Sequence, residues 1–192
     1  MIIVFGGSFN PPTIAHYEIA KHLCNLSFCH QFLFLPVGNQ YPKAELIEGF
    51  HRVKMLELIC EHLEKAKVCT LEVDDTKVLT TYETLTKLRK QNPTKDIGFV
   101  LGADNLSKLT AWSQFQKLIK EFKIIVFKRD DINVEEIIEE QFKLFQKQFV
   151  ILEAFEEMKV SSSLYRSNIQ NEHLVMKEIS QYIKSEGLYG RK

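Results

Sequence analysis

The chain has 192 residues, of which 45% are hydrophobic and 26% are charged, and its 25 lysine and arginine residues balance 25 aspartate and glutamate residues. This length fits one domain with a buried core, and the balanced charge excludes the strong positive field by which proteins bind nucleic acid or an anionic membrane. The apolar run Met1–Phe5 is too short for a signal peptide or a membrane span, so we expect a soluble cytoplasmic protein.

Short apolar runs alternate with amphipathic segments along the chain. The runs are β-branched or aromatic, as in buried strands, and comprise Ile2–Phe5, Gln31–Pro36, Val68–Val73, Ile97–Gly102, Lys123–Phe127 and Phe149–Leu152. Helical spacing of apolar residues is found in Phe50–Lys65, Tyr82–Gln91, Ser113–Glu121, Val134–Lys147 and Leu174–Glu186. The alternation predicts an α/β fold, a Rossmann-like open parallel sheet with helices on both faces, in a single domain that spans residues 1–192.

Ligands of such sheets bind beyond the carboxyl ends of the strands, near the point where the strand order reverses. The loops that follow Phe5, Pro36, Val73 and Gly102 are therefore where we expect the site. The four cysteines, Cys24, Cys29, Cys60 and Cys69, show no spacing typical of a zinc site.

The strongest signal is the loop after the first strand, Gly6-Gly7-Ser8-Phe9-Asn10-Pro11-Pro12-Thr13-Ile14-Ala15-His16. Its glycines let the backbone pass close to a ligand, and Thr13 can cap the helix that follows. A helix start favours phosphate, and the His16 imidazole can donate a hydrogen bond to a phosphate oxygen as charge builds on it. The spacing fits neither a dinucleotide-binding fingerprint nor a Walker A loop.

A second group of donors lies near the other end of the chain. In Val160-Ser161-Ser162-Ser163-Leu164-Tyr165-Arg166, three hydroxyls come at a helix start and Arg166 follows Ser163 by one turn. This grouping suits the phosphates of a nucleotide, although a serine cap with a surface arginine is an alternative interpretation.

Together these segments resemble the adenylyl- and cytidylyltransferase superfamily, whose signature is a G-x-F-(D/N)-P loop followed by H-x-G-H, with I-S-S-T-x-I-R closing the catalytic domain. Here Thr13 and Ala15 replace the first histidine and the glycine. The resulting T-x-x-H form resembles that of several pyridine-nucleotide adenylyltransferases. The resemblance covers the full length of the chain.

Middle segments resemble nicotinate or nicotinamide mononucleotide adenylyltransferases of the bacterial nicotinate type. They are Tyr41-Pro42-Lys43, Thr80-Thr81-Tyr82-Glu83-Thr84-Leu85, similar to (S/T)-Y-T-x-x-T-L, and Gly102-Ala103-Asp104 with Trp112, similar to (I/L)-G-x-D…W. Plainer interpretations stay open: Lys43 as a loop lysine, Trp112 as a core indole and Arg129 as a solvated charge.

The resemblance implies a role for each matched residue. It places His16, Thr13 and Arg166 in catalysis; Gly6, Gly7, Ser8, Phe9, Lys43, Gly102, Asp104, Ser162 and Ser163 at ATP; and Thr81, Tyr82, Thr84, Trp112 and Arg129 at the pyridine nucleotide.

The implied reaction transfers AMP from ATP to nicotinate mononucleotide, giving nicotinate adenine dinucleotide and pyrophosphate in NAD biosynthesis. We expect Mg²⁺ to arrive on ATP, because the sequence contains no carboxylate cage for it. Backbone N–H groups at Thr81–Thr84 favour the nicotinate carboxylate over the amide. Alternatives are a nicotinamide or dual-specificity enzyme, a transferase for phosphopantetheine or a polyol phosphate, and a non-catalytic nucleotide sensor. The sequence leaves a homo-oligomer open.

Overall fold

A six-stranded parallel sheet organises the molecule. The computed structural model describes residues 1–128, 132–153, 160–168 and 170–191. The strands are β1 (Ile2–Gly7), β2 (Gln31–Pro36), β3 (Ala66–Val68), β4 (Ile97–Gly102), β5 (Lys123–Phe127) and β6 (Phe149–Leu152), in the order β3-β2-β1-β4-β5-β6. Every pairing between neighbours is parallel, so the predicted Rossmann-like α/β fold is confirmed.

Helices connect the strands and cover the sheet. They are α1 (Ile14–Cys24), α2 (Gly49–Cys60), α3 (Thr81–Gln91), α4 (Ala103–Leu106), α5 (Phe115–Glu121), α6 (Val134–Gln141), α7 (Ser162–Ser167) and α8 (Lys177–Ser185). Short 3₁₀ turns lie at Leu109–Ala111, Lys143–Gln148, Asn171–Leu174 and Leu188–Gly190. None of the helices in the described ranges is long and apolar enough to span a bilayer.

Several predicted boundaries are wrong, and the strand placed at Val68–Val73 is the largest error. The strand is Ala66–Val68, because only these residues pair with Phe32–Phe34 of β2. The Cys69 N–H still donates to the Phe34 carbonyl. The chain then turns away from the sheet, where the Asp74 N–H donates to the Thr70 carbonyl and the Thr70 hydroxyl donates to the Asp74 carboxylate.

Three predicted helices are also shorter than their apolar pattern. Helix α2 ends at Cys60, α6 ends at Gln141, and α8 begins at Lys177. In the latter two, the rest of the pattern forms the 3₁₀ turns Lys143–Gln148 and Asn171–Leu174, because apolar residues at helical spacing can be buried by a tighter turn as well.

Alternation along the strands divides the core between the two faces of the sheet. On β1, Ile3 packs into one cluster with Phe32 and Phe34 of β2, whereas Ile2 and Val4 pack into the other. Successive side chains of a strand point to opposite faces, so a strand of the interior must be apolar throughout.

The strand order reverses at β1, which pairs with β2 on one side and with β4 on the other. The connections that leave the carboxyl ends of β1 and β4 therefore diverge to opposite faces and leave a crevice between them. The glycine loop after β1 and the Gly102 segment after β4 open onto this crevice.

Candidate active site

Two adjoining cavities lie at the carboxyl ends of the strands. The first encloses about 390 Å³ and is lined in part by His16, Gly102, Asp104 and the serines 161–163. The second encloses about 520 Å³ and is lined in part by Gly6, Gly7, Ser8, Thr81 and Trp112. Lys43 and Asn105 belong to both linings. The two cavities therefore meet, and two ligands bound in them would come together at Lys43 and Asn105.

The glycine loop belongs to the second cavity. An added Cβ would lie 3.0 Å from the Phe99 ring at Gly6 and 3.1 Å from the Phe9 ring at Gly7, so a side chain at either position would require the neighbouring ring to shift. The Ser8 hydroxyl accepts a hydrogen bond from Lys43 Nζ at 2.7 Å. Gly6, Gly7 and Ser8 therefore line the second cavity rather than the first, and their contact with ATP stays a prediction.

Phe9 does not face either cavity. Its side chain is 1% exposed, and its ring packs edge-on against Phe5 and Phe34, each at 5.5 Å between centroids. The loop folds the Phe9 ring into the core, where its apolar surface leaves water, so contact of the ring with ATP is not supported and contact through the Phe9 backbone stays a prediction.

His16 lies in the first turn of α1 and lines the first cavity. Its Nδ1 accepts the backbone N–H of Thr13 at 2.9 Å, so the proton of the neutral ring is on Nε2. Burial, followed by the charge of Lys43, lowers the pKa of His16 to about 4. At neutral pH the residue is therefore an uncharged hydrogen-bond donor rather than a cation.

Thr13 holds this histidine in place. The threonine is fully buried, and its hydroxyl lies 2.8 Å from His16 Nδ1. Both the N–H and the hydroxyl of Thr13 face the imidazole, so Thr13 acts on the site through His16, and direct contact of Thr13 with substrate is not supported. The residue caps α1 and positions His16, which reaches back to the cap as glutamate does in a capping box.

Positive charge gathers where the cavities meet. The pKa of Lys43 is lowered by burial and then by Arg166 and Arg52, which shows that these cations repel one another. Arg52 is fully buried and donates to the carbonyls of Val37 and Ile47. An anion at this junction would relieve the repulsion, as a nucleotide phosphate does.

The two end motifs meet in space, as the sequence predicts. Ser162 Oγ donates to the Pro11 carbonyl at 2.8 Å, and Arg166 Nη1 donates to the Asn10 carbonyl at 2.6 Å. Ser162 and Ser163 line the first cavity, whereas Arg166 lines neither. The Arg166 guanidinium thus fastens the glycine loop to α7, and its contact with phosphate stays a prediction.

Gly102 and Asp104 line the first cavity as predicted. Gly102 caps the four-residue helix α4, and a Cβ there would lie 2.6 Å from Asp104 Oδ1. The glycine therefore lets the carboxylate fold back over the end of β4. An exposed carboxylate in this position can accept hydrogen bonds from ribose hydroxyls.

Of the residues predicted at the pyridine ring, Thr81 and Trp112 line the second cavity. Tyr82 does not, because its hydroxyl donates to Glu121 on α5 at 3.0 Å. Thr84 is fully buried and donates to Glu72 at 2.8 Å. Direct contact of Tyr82 and Thr84 with the ring is therefore not supported. Arg129 lies outside the described residues.

Several residues of the cavity walls were not predicted from the sequence, among them Glu72, Phe99 and Asn105. Glu72 and Phe99 line the second cavity and Asn105 lines both. The apolar pattern assigns Glu72 and Phe99 only to buried strands, and Phe99 indeed lies in β4. Asn105 sits within the Gly102–Trp112 segment, whose match to the family motif was the available signal.

Asn10 forms hydrogen bonds with three other segments of the chain. It is fully buried, its Nδ2 donates to the Glu45 carbonyl at 2.8 Å, and its Oδ1 accepts the Tyr189 hydroxyl at 2.7 Å. With the bond from Arg166, this asparagine joins the glycine loop to three other segments. The C-terminal turn thus supports the loop that carries the site.

Comparison with known proteins gives the chain a family. The model of the family described as cytidylyltransferase-like matches residues 4–168. A protein of Acholeplasma laidlawii (strain PG-8A), named a probable nicotinate-nucleotide adenylyltransferase, is 34% identical, with 98% of this chain and 97% of the relative covered.

Solved structures share the fold. One is described as the nicotinic acid mononucleotide adenylyltransferase of Plasmodium falciparum complexed with NaAD, with a TM-score of 0.86 and 24% identity, covering 100% of this chain and 98% of the other. A structure of the same name complexed with APC has a TM-score of 0.83 and 22% identity, with the same coverage.

Proposed function

The chain belongs to the cytidylyltransferase-like family, and within it to the nicotinate-nucleotide adenylyltransferases, and we propose on that basis that it transfers AMP from ATP to nicotinate mononucleotide. The products are nicotinate adenine dinucleotide and pyrophosphate, in NAD biosynthesis. The family and the enzyme class agree with the prediction from the sequence.

One observation carries the assignment of roles within the site: the two nucleotide-sized cavities meet at Lys43 and Asn105, with His16 in the wall of the first. ATP occupies the first cavity, with its ribose at Asp104, and the mononucleotide occupies the second, with its ring near Trp112. The phosphate of the mononucleotide then attacks the α-phosphorus of ATP at the junction, and pyrophosphate leaves. Positioning and charge stabilisation do most of this work.

His16 stabilises the reacting phosphate. Because Nδ1 accepts from the Thr13 N–H, only Nε2 carries a proton, and it donates to an oxygen of the α-phosphate as charge builds there. A donor of this kind raises the rate by a factor of about 10²–10³. Being neutral before ATP binds, the imidazole needs no counter-charge in the protein.

Lys43 and the hydroxyl of Ser163 hold the departing pyrophosphate, and Ser162 lies beside them with its hydroxyl donating to the Pro11 carbonyl. Arg166 adds its charge from behind the loop, where it already lowers the pKa of Lys43. Mg²⁺ carried by ATP neutralises phosphate charge. The described residues contain no cluster of three candidate metal ligands, so Mg²⁺ stays a prediction. The cytoplasmic location and a homo-oligomer also stay predictions.

The test is product formation. Purified protein is incubated with ATP, Mg²⁺ and nicotinate mononucleotide, and pyrophosphate and the dinucleotide are both quantified. A parallel panel contains nicotinamide mononucleotide, phosphopantetheine and a polyol phosphate. The proposal requires both products in equal amounts with the nicotinate acceptor; ATP binding without either product would indicate a sensor, and turnover only with another acceptor would reassign the substrate.

A further inference from the structure

Arg52 is a fully buried arginine near the start of α2, and the mechanism above gives it no task. Its guanidinium is hydrogen-bonded to neutral groups, because Nε donates to the Ile47 carbonyl at 3.0 Å and Nη1 donates to the Val37 carbonyl at 2.8 Å. Taking a cation out of water is costly. A charge kept in such a place calls for a physical reason.

The hydrogen bonds of Arg52 close one loop at both of its ends. The β2–α2 loop (residues 38–48) is preceded by Val37, and Ile47 lies close to its end. A third bond runs from Nη2 to Asn39 Oδ1 at 3.4 Å. All of the loop between residues 39 and 45 is exposed, so little apolar burial holds it, and its position depends on such bonds.

The same guanidinium joins this loop to the glycine loop. Nη1 also donates to the Ser8 carbonyl at 3.3 Å, and the Ser8 hydroxyl accepts the bond from Lys43 Nζ at 2.7 Å. Lys43 belongs to the β2–α2 loop and lines both cavities. Arg52 therefore holds the backbone of the two segments whose side chains meet at the junction of the cavities.

This arrangement requires an arginine rather than any cation. A guanidinium presents five N–H donors in a fixed plane, and Nε, Nη1 and Nη2 of Arg52 have separate acceptors in and beside the loop. A lysine ammonium would keep the charge, but it would present its donors from a single atom. A further bond, from Asn10 Nδ2 to the Glu45 carbonyl, holds the part of the loop that follows Lys43.

We propose that Arg52 is a positioning residue, which fastens the β2–α2 loop and the glycine loop to α2 and thereby holds Lys43 at the junction where it meets phosphate. This inference rests on the proposed function, since it assumes that phosphate groups occupy that junction. Arg52 belongs to neither cavity lining, so it acts through Lys43. Loss of its bonds should harm the reaction only as far as Lys43 is displaced.

The first experiment is a double-mutant cycle of Arg52→Lys and Lys43→Ala, with kcat/KM for nicotinate mononucleotide measured at saturating ATP and Mg²⁺. Loss of a hydrogen bond to a charged group should lower kcat/KM in K43A by about 10- to 150-fold. R52K should lose up to the same factor. The double variant should lose no more than K43A alone, because the effects of residues that share one task are not additive.

The matched control is Arg89→Lys. Arg89 lies on α3 and pairs with Glu121 at 2.6 Å, so R89K makes the same chemical change away from the junction. Its kcat/KM should match that of the wild type.

The second experiment does not depend on turnover. Trypsin cleaves after Lys43 when the loop opens locally, and the fragment 1–43 is followed by mass spectrometry. R52K should be cleaved there about fivefold faster or more than the wild type and R89K, because it lacks several of the bonds. Asn39→Ala removes the acceptor of Arg52 Nη2 and of the Gly49 N–H and should also be cleaved faster.

Additive losses in the cycle would mean that Arg52 does not act through Lys43, and cleavage of R52K and N39A at the wild-type rate would mean that other contacts hold the loop. Either result overturns the inference. If R52K does not fold, N39A takes its place in both experiments. If the wild type forms no dinucleotide, the proposed function fails, and the cycle is measured on the dissociation constant of inorganic pyrophosphate, where additive losses would again overturn the role of Arg52.

Discussion

Thr13→Ala separates positioning from phosphate contact in the first turn of α1. The substitution removes the hydroxyl that lies 2.8 Å from His16 Nδ1 and keeps the backbone N–H that donates to the same atom at 2.9 Å. His16 should therefore keep its tautomer and approximate position. Thr13→Ser retains a hydroxyl and serves as the matched control.

The size of the effect follows from what is lost. Removing a threonine cap costs about 1 kcal/mol of stability, which lowers the Tm by about 2–4 °C for a chain of this length. One neutral hydrogen bond contributes about 0.5–1.5 kcal/mol, so kcat should fall by about twofold to tenfold at most. His16→Ala also leaves the buried Thr13 N–H without its acceptor, so its stability loss should be similar. Its kcat should nevertheless fall by about 10²–10³-fold.

The assay is pyrophosphate release at saturating ATP and mononucleotide, with the Tm of each variant measured alongside. We expect T13S to match the wild type and T13A to show a small decrease in both kcat and Tm. In H16A the decrease in kcat should be far larger than in T13A, although the decrease in Tm is similar. If T13A reduced kcat as much as H16A, Thr13 would contact the reacting phosphate and the positioning argument would be refuted. An unaltered kcat in H16A would make His16 a structural residue.

Three further predictions concern neighbouring parts of the molecule. The pKa of His16 is about 4 in the folded protein and 6.5 in the unfolded chain, so the unfolded chain binds more protons between these two values. The free energy of unfolding should therefore fall as pH drops through this window, and less steeply in H16A. Denaturant titrations at each pH measure this. Trp112→Ala removes a stacking face worth about 1–3 kcal/mol, so KM for the mononucleotide should rise about fivefold to 150-fold with KM for ATP nearly unchanged; equal rises would place the indole elsewhere. Tyr189→Phe removes the bond to Asn10 and should lower the Tm by about 2–4 °C and raise KM for the mononucleotide, whose cavity the glycine loop lines. An unaltered KM for the mononucleotide would mean that the C-terminal turn does not support the loop.

The pattern of the sequence was sufficient for the strands of the interior and for the motifs at their ends. Apolar runs such as Ile97–Gly102 and Lys123–Phe127 coincide with β4 and β5, because a strand covered on both faces must be apolar throughout. The strand predicted at Val68–Val73 was wrong, because apolar residues beyond the last pairing with β2 can pack against the core from a turn. Local spacing does not show where a partner strand ends.

Motif matches identified the right segments but not the direction of each side chain. On α3, the three residues Thr81, Tyr82 and Thr84 fall in one motif, yet they face the cavity, α5 and Glu72 respectively. A helix turns about 100° per residue, so neighbouring motif residues point to different surroundings. Which of these surroundings is the ligand cavity depends on how the helix packs.

The sequence by itself determined the fold class, the family, and the two end motifs that meet at the carboxyl edge of the sheet. Only the tertiary structure decided that His16 is neutral, that Thr13 and Arg166 support the site from behind, and that Glu72 lies within a cavity. The reason is that burial and charge at each group come from segments distant in the chain: burial and then Lys43 lower the pKa of His16, and Thr84 of α3 donates to Glu72 in the turn after β3. Local sequence sets which groups are available, and long-range packing sets what each of them contacts.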